Sequence, residues 1–475
     1  MKERVIQLAQ TVKDIQAKPK SGTDFRTGKL ERYSYGFYFF GQLIYYAIVM
    51  GFLQLYMTES GIPANLVGTI FIIAKIWDAV NDPLFGVIVD KTNLKSGKYI
   101  PWVRLSTFLI PVATIFLFSV PMDVSVQVKA IWVTAGYVLW DTSYTMCDVP
   151  IFALATSMTD NLKERNWLFL ANRFFMFVGS LLTTILVPLL FPNIGWTATI
   201  IIMSVMALAT MLPISFKARE RYFVDDEKNP TIGQLFRYIG KNKYLLIFNG
   251  ALILASLSNT SGAVSNYVAI YCLGSTKWIS ILGLVASLPM LLSILLTQQI
   301  IRKVDKFTVF LICQAVNMLL CVVLFFVGYS NITLFLGIIA LRSVFGSAGT
   351  VLLVLFTADC AEYGHFVTGE RAQGMAFSVQ TFTAKITAAL SSAIGMFMLG
   401  AVGFVEGSGA AQSSGTIVWI WRMYTVVPLV TGILAFALVL SGYRLRSNDV
   451  ALMMRANAGE ITREEAEAGF SREYK

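Results

Sequence analysis

The residues able to do chemistry in this 475-residue chain sit inside apolar runs, where charge is costly. One stretch reads Lys75-Ile76-Trp77-Asp78-Ala79-Val80-Asn81-Asp82-Pro83. An ionisable side chain at the centre of a membrane helix costs about 2.5–3.5 kcal/mol on insertion scales, so it is a functional candidate by default. Asp78 and Asp82 are four residues apart and share a helix face, with Asn81 beside them. Two carboxylates this close in a low dielectric need a cation or a proton between them. Hard oxygen ligands suit sodium, by analogy with other hard cations; the alternative is a purely structural bridge, the pair being neutralised by Lys75 or by the fifth span. A second stretch runs from Trp140 to Pro150. Asp141 and Asp148, seven apart, face one way, and Thr145 could add an oxygen to the ion. Trp140 and Tyr144 supply aromatic surface of the kind that packs on sugar rings. Asp141 is expected nearer the outer mouth, hydrated.

Bases complement these acids. Asn172-Arg173 lies in one later run, and Gln380-Thr381 with Lys385 in another. Buried cations must pair with carboxylates, so acids and bases are expected to form one cavity network that approaches neutrality when a single cation binds. Asn249, Ser256, Ser258, Asn259, Thr260, Ser261 and Asn266 make a further run unusually polar; it lines the cavity or holds helices together by hydrogen bonds. Asp90, Arg165, Asp359, Glu362 and Arg371 fall at the cytoplasmic ends of runs. Opposed acids and bases there could form a gate, or be ordinary surface charge.

The elements that position these residues are membrane helices. The chain is 56% hydrophobic and 14% charged, with a mean hydropathy of +0.65, against about 25% charged in average soluble chains. That excludes a soluble enzyme, a disulfide-rich secreted protein and a disordered scaffold, and the long continuous runs argue against a β-barrel. Twelve spans are read at about 34–58, 63–89, 100–121, 128–157, 168–191, 196–216, 244–273, 278–301, 306–328, 331–357, 372–404 and 417–443. Lys and Arg crowd the first segment, the even-numbered loops and the tail, whereas the odd-numbered loops hold only Lys129 and Lys277. Both termini are therefore expected in the cytoplasm. The net charge of +10 follows from this loop bias, so no nucleic-acid partner is expected. The expected organisation is a cytosolic segment 1–33, a six-helix half 34–216, a central cytoplasmic loop 217–243, a second half 244–443 and a cytosolic tail 444–475. Two six-helix halves around a midplane cavity make an all-α major-facilitator architecture. The five cysteines form no CxxC pair and His365 is alone, so neither disulfides nor a zinc site is expected. No Walker A motif occurs, so uphill work must come from an ion gradient.

Three segments resemble the glycoside–pentoside–hexuronide:cation symporters, a family of the major facilitator superfamily. They are Ile76 to Pro83 with Gly97-Lys98-Tyr99-Ile100-Pro101-Trp102; Asp148-Val149-Pro150 with Glu164-Arg165 and Arg173-Phe174-Phe175; and Ala358-Asp359 with Glu362-Tyr363-Gly364, Ser378-Val379-Gln380-Thr381 and Lys385. The resemblance covers nearly all of the chain after the first 30 residues. It implies a cation site at Asp78, Asn81, Asp82 and Thr145, a sugar site at Asp148 and Arg173 with Trp140, Gln380, Thr381 and Lys385 near it, and a cytoplasmic gate of Arg165, Asp359, Glu362 and Arg371. Two places depart from the pattern: the pair Gln42-Leu43 stands where the family can carry Lys followed by a sugar-binding Asp, and Phe152 where it can carry Trp. Both argue against an α-galactoside. Asp141 replaces a small residue and is expected to bind substrate hydroxyls from another wall.

The expected function is secondary active uptake of a sugar or glycoside with a cation, sodium first and proton as the near alternative, by alternating access. No cofactor is expected beyond the transported ion. The setting is the cell membrane and its lipids, as a monomer. Sodium-dependent lysolipid carriers share such a fold, but the polar seventh span and the paired acids of span 4 speak against that substrate.

Overall fold

A computed structural model describes residues 25–92, 94–222, 233, 240, 242–369, 373–472 and 474. Residues 1–24 of the first segment, most of the central loop and Arg371 lie outside the described residues. The described chain is helical, with one isolated bridge between Leu94 and Gly97. The first set of helices is α1 (Lys29–Glu59), α2 (Ala64–Asp90), α3 (Ile100–Leu117), α4 (Val126–Met158), α5 (Leu162–Ile194) and α6 (Trp196–Lys217). The second is α7 (Lys243–Cys272), α8 (Lys277–Ile300), α9 (Lys306–Val327), α10 (Ile332–Thr368), α11 (Gln373–Ala401) and α12 (Ser414–Gly442). Two short helices follow, α13 (Ser447–Asn457) and α14 (Arg463–Ala468). Among the described residues ten helices are long and apolar enough to cross a membrane. The other two long helices, α2 and α4, carry Asp78, Asp82, Asp141 and Asp148.

Several helices outrun their expected spans, because polar ends continue a helix that the apolar pattern alone would stop. α5 begins at Leu162, where the Asn161 side chain accepts hydrogen bonds from the Lys163 and Glu164 amides. α10 runs to Thr368 and ends at Gly369, whose φ of 72° closes the last turn. α7 is interrupted. A 3-10 turn spans Leu257–Asn259 and a π turn Val268–Cys272. Ser258 and Asn259 compete with the helix for backbone hydrogen bonds, and α11 stabilises the break: Ser391 Oγ donates to the Ser256 carbonyl (2.9 Å) and Thr260 Oγ1 to the Ser391 carbonyl (3.2 Å).

Within the first set α1 lies against α5 and α6, α3 against α4 and α6, and α2 against α4. Within the second, α10 packs on α8 and α9, while α12 packs on α7 and α9. The sets meet through α2 with α11 and α5 with α8. Hydrogen bonds across this seam gather at one end of the bundle. Asn266 Nδ2 donates to the Gly51 carbonyl (2.7 Å), Thr58 Oγ1 and the Tyr267 hydroxyl lie 2.9 Å apart, the Gly407 amide donates to the Thr58 carbonyl (2.9 Å), and the Ala64 amide to Glu406 Oε1 (2.8 Å). The helices touch so closely there that a Cβ at Gly400 would stand 2.3 Å from Asn65 Oδ1.

At the other end each set pairs within itself. Arg221 bridges Glu31 (2.8 Å), the Glu220 carboxylate caps the Lys98, Tyr99 and Ile100 amides, and Lys306 bridges Asp359 (2.5 Å). The tail docks here on the second set. Asp305 caps α9 and also accepts from Ser447 Oγ (2.6 Å), while Asn457 Nδ2 donates to Glu362 Oε2 (2.9 Å). Asp449, 1% exposed, accepts from the Ser471 amide (2.9 Å), Ser471 Oγ (2.6 Å) and the Tyr474 hydroxyl. Burial opposes its charge, but the Ser471 and Tyr474 hydrogen bonds prevail and hold the carboxyl below the ordinary range. A group depressed on docking stabilises the docked form above its free pKa, near 3.9, and that contribution fades as pH falls through the bound value. Asp449→Asn is expected to raise protease cleavage between α12 and α14 roughly tenfold at pH 7, from the loss of charged hydrogen bonds. In the unsubstituted chain protection should hold from pH 8 to 5 and decline only below about pH 4.

Candidate functional site

The acids of α2 and α4 converge where these helices pack. Spacings of three, four and seven put Lys75, Asp78, Asn81 and Asp82 on one side of α2 and Asp141, Thr145 and Asp148 on one side of α4. Asn81 Nδ2 donates to Thr145 Oγ1 (2.9 Å), and Thr145 Oγ1 donates to Asp82 Oδ1 (3.1 Å). Trp77 Nε1 donates to Thr142 Oγ1 (3.1 Å) and pins the two helices in register. Asn81 is 5% and Thr145 4% exposed, whereas the Asp82 carboxylate is part-exposed, so the neutral ligands are buried and the acid stays open to the cavity.

Two lysines answer the two acids. Lys75 Nζ lies 3.3 Å from Asp78 Oδ2 on the same helix. Lys385 of α11 reaches across the seam and bonds Asp82 Oδ2. Asp82 therefore joins the sets at mid-bundle, with one oxygen on Thr145 and the other on Lys385. The carboxylates of Asp78 and Asp82, the Asn81 amide oxygen and Thr145 Oγ1 are all hard oxygens on adjacent turns, a donor set that suits a small hard cation. Among the described residues no three His, Cys, Asp or Glu side chains converge as a metal cluster, so such a cation would rest on two carboxylates plus neutral oxygens.

A second group adjoins the first. Gln42 of α1, 1% exposed, donates from Nε2 to Asp148 Oδ1 (3.1 Å). That leaves Gln42 Oε1 without a partner among the described residues, and Gln380 Oε1 on α11 is in the same position. Tyr144 stands beside Asp148 in helical spacing, its ring 5.6 Å from that of Tyr46.

Several sequence expectations need correction. Trp140 is 1% exposed and stacked on Tyr144 (5.1 Å between rings), so it backs the tyrosine and offers no free face. Phe152 packs on Phe39 (5.0 Å) within the apolar core. Asp141 is not hydrated at a mouth: it is 5% exposed and accepts from Asn81 Nδ2 (3.5 Å), which places it with the Asp78–Asp82 group. Arg173 is exposed and has no ion pair or hydrogen bond among the described residues, because its helix turns Asn172 inward instead. Thr381 bonds its own helix at the Phe377 carbonyl. Of the gate candidates, Asp359 meets Lys306, Glu362 meets Gln373 and Asn457, and Arg165 meets the Thr159 carbonyl (3.2 Å). The structure does not bring Arg165 to either acid. The sequence reading passed over bases inside the spans, Arg104 in α3, Arg342 in α10 and Arg422 in α12; Arg342 is a lone base in an apolar run that hydropathy alone marks out.

Set beside known proteins, this helix arrangement with its intramembrane acids has a clear place. The model of the MFS/sugar transport protein family matches residues 34–447. The chain belongs to this family. It is a multi-pass membrane transporter and not an enzyme, and the glycoside–pentoside–hexuronide:cation resemblance holds. It is 28% identical over 429 residues to the isoprimeverose transporter of Lactiplantibacillus pentosus, covering 86% of this chain and 88% of the relative. It is also 28% identical over 441 residues to a putative sulfoquinovose importer of Salmonella typhimurium, covering 89% and 91%. The inner membrane symporter YicJ of Escherichia coli is 26% identical over 446 residues, covering 89% and 94%. Among solved structures, a bacterial homologue of the iron transporter ferroportin superposes with a TM-score of 0.63 at 16% identity, over 88% of this chain and 99% of that one. The nucleoside transporter NupG gives 0.60 at 12% identity, over 88% and 100%. At such identities the likeness is one of fold, and the fold is the all-α major facilitator fold.

Proposed function

We propose that this chain is a symporter that brings a sugar or glycoside into the cell together with a monovalent cation, sodium before proton. It does so through twelve spans, with both termini in the cytoplasm. The observation that carries the coupling is the divided Asp82 carboxylate, held by Thr145 on one oxygen and by Lys385 on the other. A cation entering among Asp78, Asp82, Asn81 and Thr145 competes with Lys385 for Asp82. Occupation of the ion site therefore alters a bond between the two halves, which is what alternating access requires. By the charge bias of the loops the seam is closed at the outer face and the cytoplasmic ends pair within their own halves, the pattern of an inward-open state.

The acceptors at the second group support the substrate class. Asp148, Gln42 Oε1 and Gln380 Oε1 present acceptors that hydroxyl donors of a polyol would satisfy. The names of the relatives, an isoprimeverose transporter and a sulfoquinovose importer, point the same way. Arg165, Asp359, Glu362 and Arg371 remain gate candidates for the opposite state, in which Asp359 would leave Lys306.

Ligand-induced thermal shift of the purified protein tests this reading. A ligand confined to the native state stabilises it by about 2.7 kcal/mol at a hundredfold excess over Kd. A saccharide shift that grows with sodium at constant pH is the expected result. A shift with lysolipid alone, or a saccharide shift that follows pH and ignores sodium, would overturn the substrate or the ion respectively.

A further inference from the structure

Sodium entering at Asp78 deprives a lysine of its partner. Lys75 Nζ lies 3.3 Å from Asp78 Oδ2, and the Lys75 side chain is only 20% exposed. An ion held between Asp78 and Asp82 competes with Lys75 for the first carboxylate as it competes with Lys385 for the second. A buried cation stripped of its carboxylate is strongly destabilising unless a second group answers it.

Two residues of α4 face that ammonium. Tyr137 and Asp141 are four apart and share one side of the helix. Both bear on the Lys75 charge, together with Asp78 and with Tyr46 of α1. The bond from Trp77 Nε1 to Thr142 Oγ1 and the bond from Asn81 Nδ2 to Thr145 Oγ1 set a register that leaves Lys75 level with the pair. Neither residue is fully engaged. Tyr137 is 1% exposed, and its hydroxyl has no hydrogen-bond partner among the described residues. Asp141 is 5% exposed and makes no ion pair among them; its one hydrogen bond comes from Asn81 Nδ2 at the long distance of 3.5 Å. A buried hydroxyl left unpaired and a buried carboxylate so thinly bonded are both costly. An ammonium has three donors and satisfies the two together.

We infer that Asp141 and Tyr137 form a second berth for Lys75, taken up when sodium claims Asp78. They are positioning residues that set sodium affinity through the lysine and touch neither ion nor saccharide. This rests on the cation reading above and deepens it. Every charge stays paired through the exchange. Without sodium Lys75 rests on Asp78; with sodium the ion lies on Asp78 and Asp82, and Lys75 moves to Asp141 and Tyr137. The flexible lysine stem makes that move without displacing either helix. The exchange also accounts for a fourth acid beside the ion ligands Asp78, Asp82, Asn81 and Thr145.

The test reads sodium affinity of the full-length protein in detergent, by thermal shift on titrating sodium chloride against choline chloride at fixed ionic strength and pH. Tyr137→Phe is the decisive variant, because it removes one oxygen and no charge and keeps the ring that packs on Phe71 and Trp140. It is expected to weaken sodium binding roughly fivefold, and Asp141→Asn roughly tenfold or more. Lys75→Met should tighten sodium binding, and in that background Tyr137→Phe should change it by less than about twofold, since residues that act through one partner are not additive. No loss in Tyr137→Phe, or the same loss with and without Lys75, overturns the inference and leaves sodium coupling standing. So does an Asp141→Asn variant that loses saccharide affinity and keeps its sodium affinity. No sodium-dependent shift in the unsubstituted protein overturns the inference and the cation reading together.

Discussion

Asp82→Asn is expected to abolish gradient-driven accumulation of substrate, bringing the internal-to-external ratio in proteoliposomes down to about 1. A symporter concentrates its substrate only while the ion changes the substrate's behaviour by a coupling free energy, typically ~1–3 kcal/mol. Asp82 is where that coupling is transmitted, because its carboxylate touches both Thr145 of the ion group and Lys385 of the opposite half. The amide keeps the size and one acceptor oxygen but removes the charge that holds both cation and lysine. Exchange of labelled for unlabelled substrate at equal concentrations should persist, because it needs no net ion movement. Lys385→Met is the complementary change: it frees Asp82, so sodium should bind more tightly while the substrate response to sodium weakens. Undiminished uphill transport by Asp82→Asn would contradict the assignment.

The second large effect is expected at Asp148. Asp148→Asn removes a charged acceptor from the Gln42 group, and hydrogen bonds to charged groups contribute about 1.5–3 kcal/mol, or roughly ten- to hundredfold in Kd. Saccharide affinity should fall by that factor while sodium binding, read by a sodium-dependent thermal shift, changes little. Gln42→Ala should have the same direction and a smaller size, because Asp148 keeps its own carboxylate. Equal loss of sodium and saccharide binding in Asp148→Asn would mean that the two groups are one site.

Much of this was legible in the sequence, and the reasons it stopped are physical. Helical periodicity along α2 and α4 was enough to bring Asp78, Asn81 and Asp82 to one face and Thr145 toward them, because spacing of three, four and seven is a local property. The fold class followed from apolar runs and loop charge for the same reason. Tertiary facts were out of reach. Nothing local distinguishes Trp140, buried behind Tyr144, from an aromatic that presents its face to a ligand. Arg173 and Asn172 are neighbours that point apart, and only the packing of α5 decides which is inward. The partners of Asp359 and Glu362, Lys306 and Asn457, depend on how α9 and the tail dock. Arg342 is a different case: the lone charge in its apolar run is a local signal, whereas the cavity it shares with Gln314, Asn317 and Ser343 is a tertiary fact.

The most direct measurement is sodium-driven uptake of a labelled saccharide into proteoliposomes with pH and membrane potential clamped. An inward sodium gradient is expected to drive accumulation above the external concentration, and Asp82→Asn should remove it while leaving exchange intact. Equal uptake with and without the sodium gradient, or accumulation that tracks an imposed proton gradient instead, would contradict sodium coupling through Asp82.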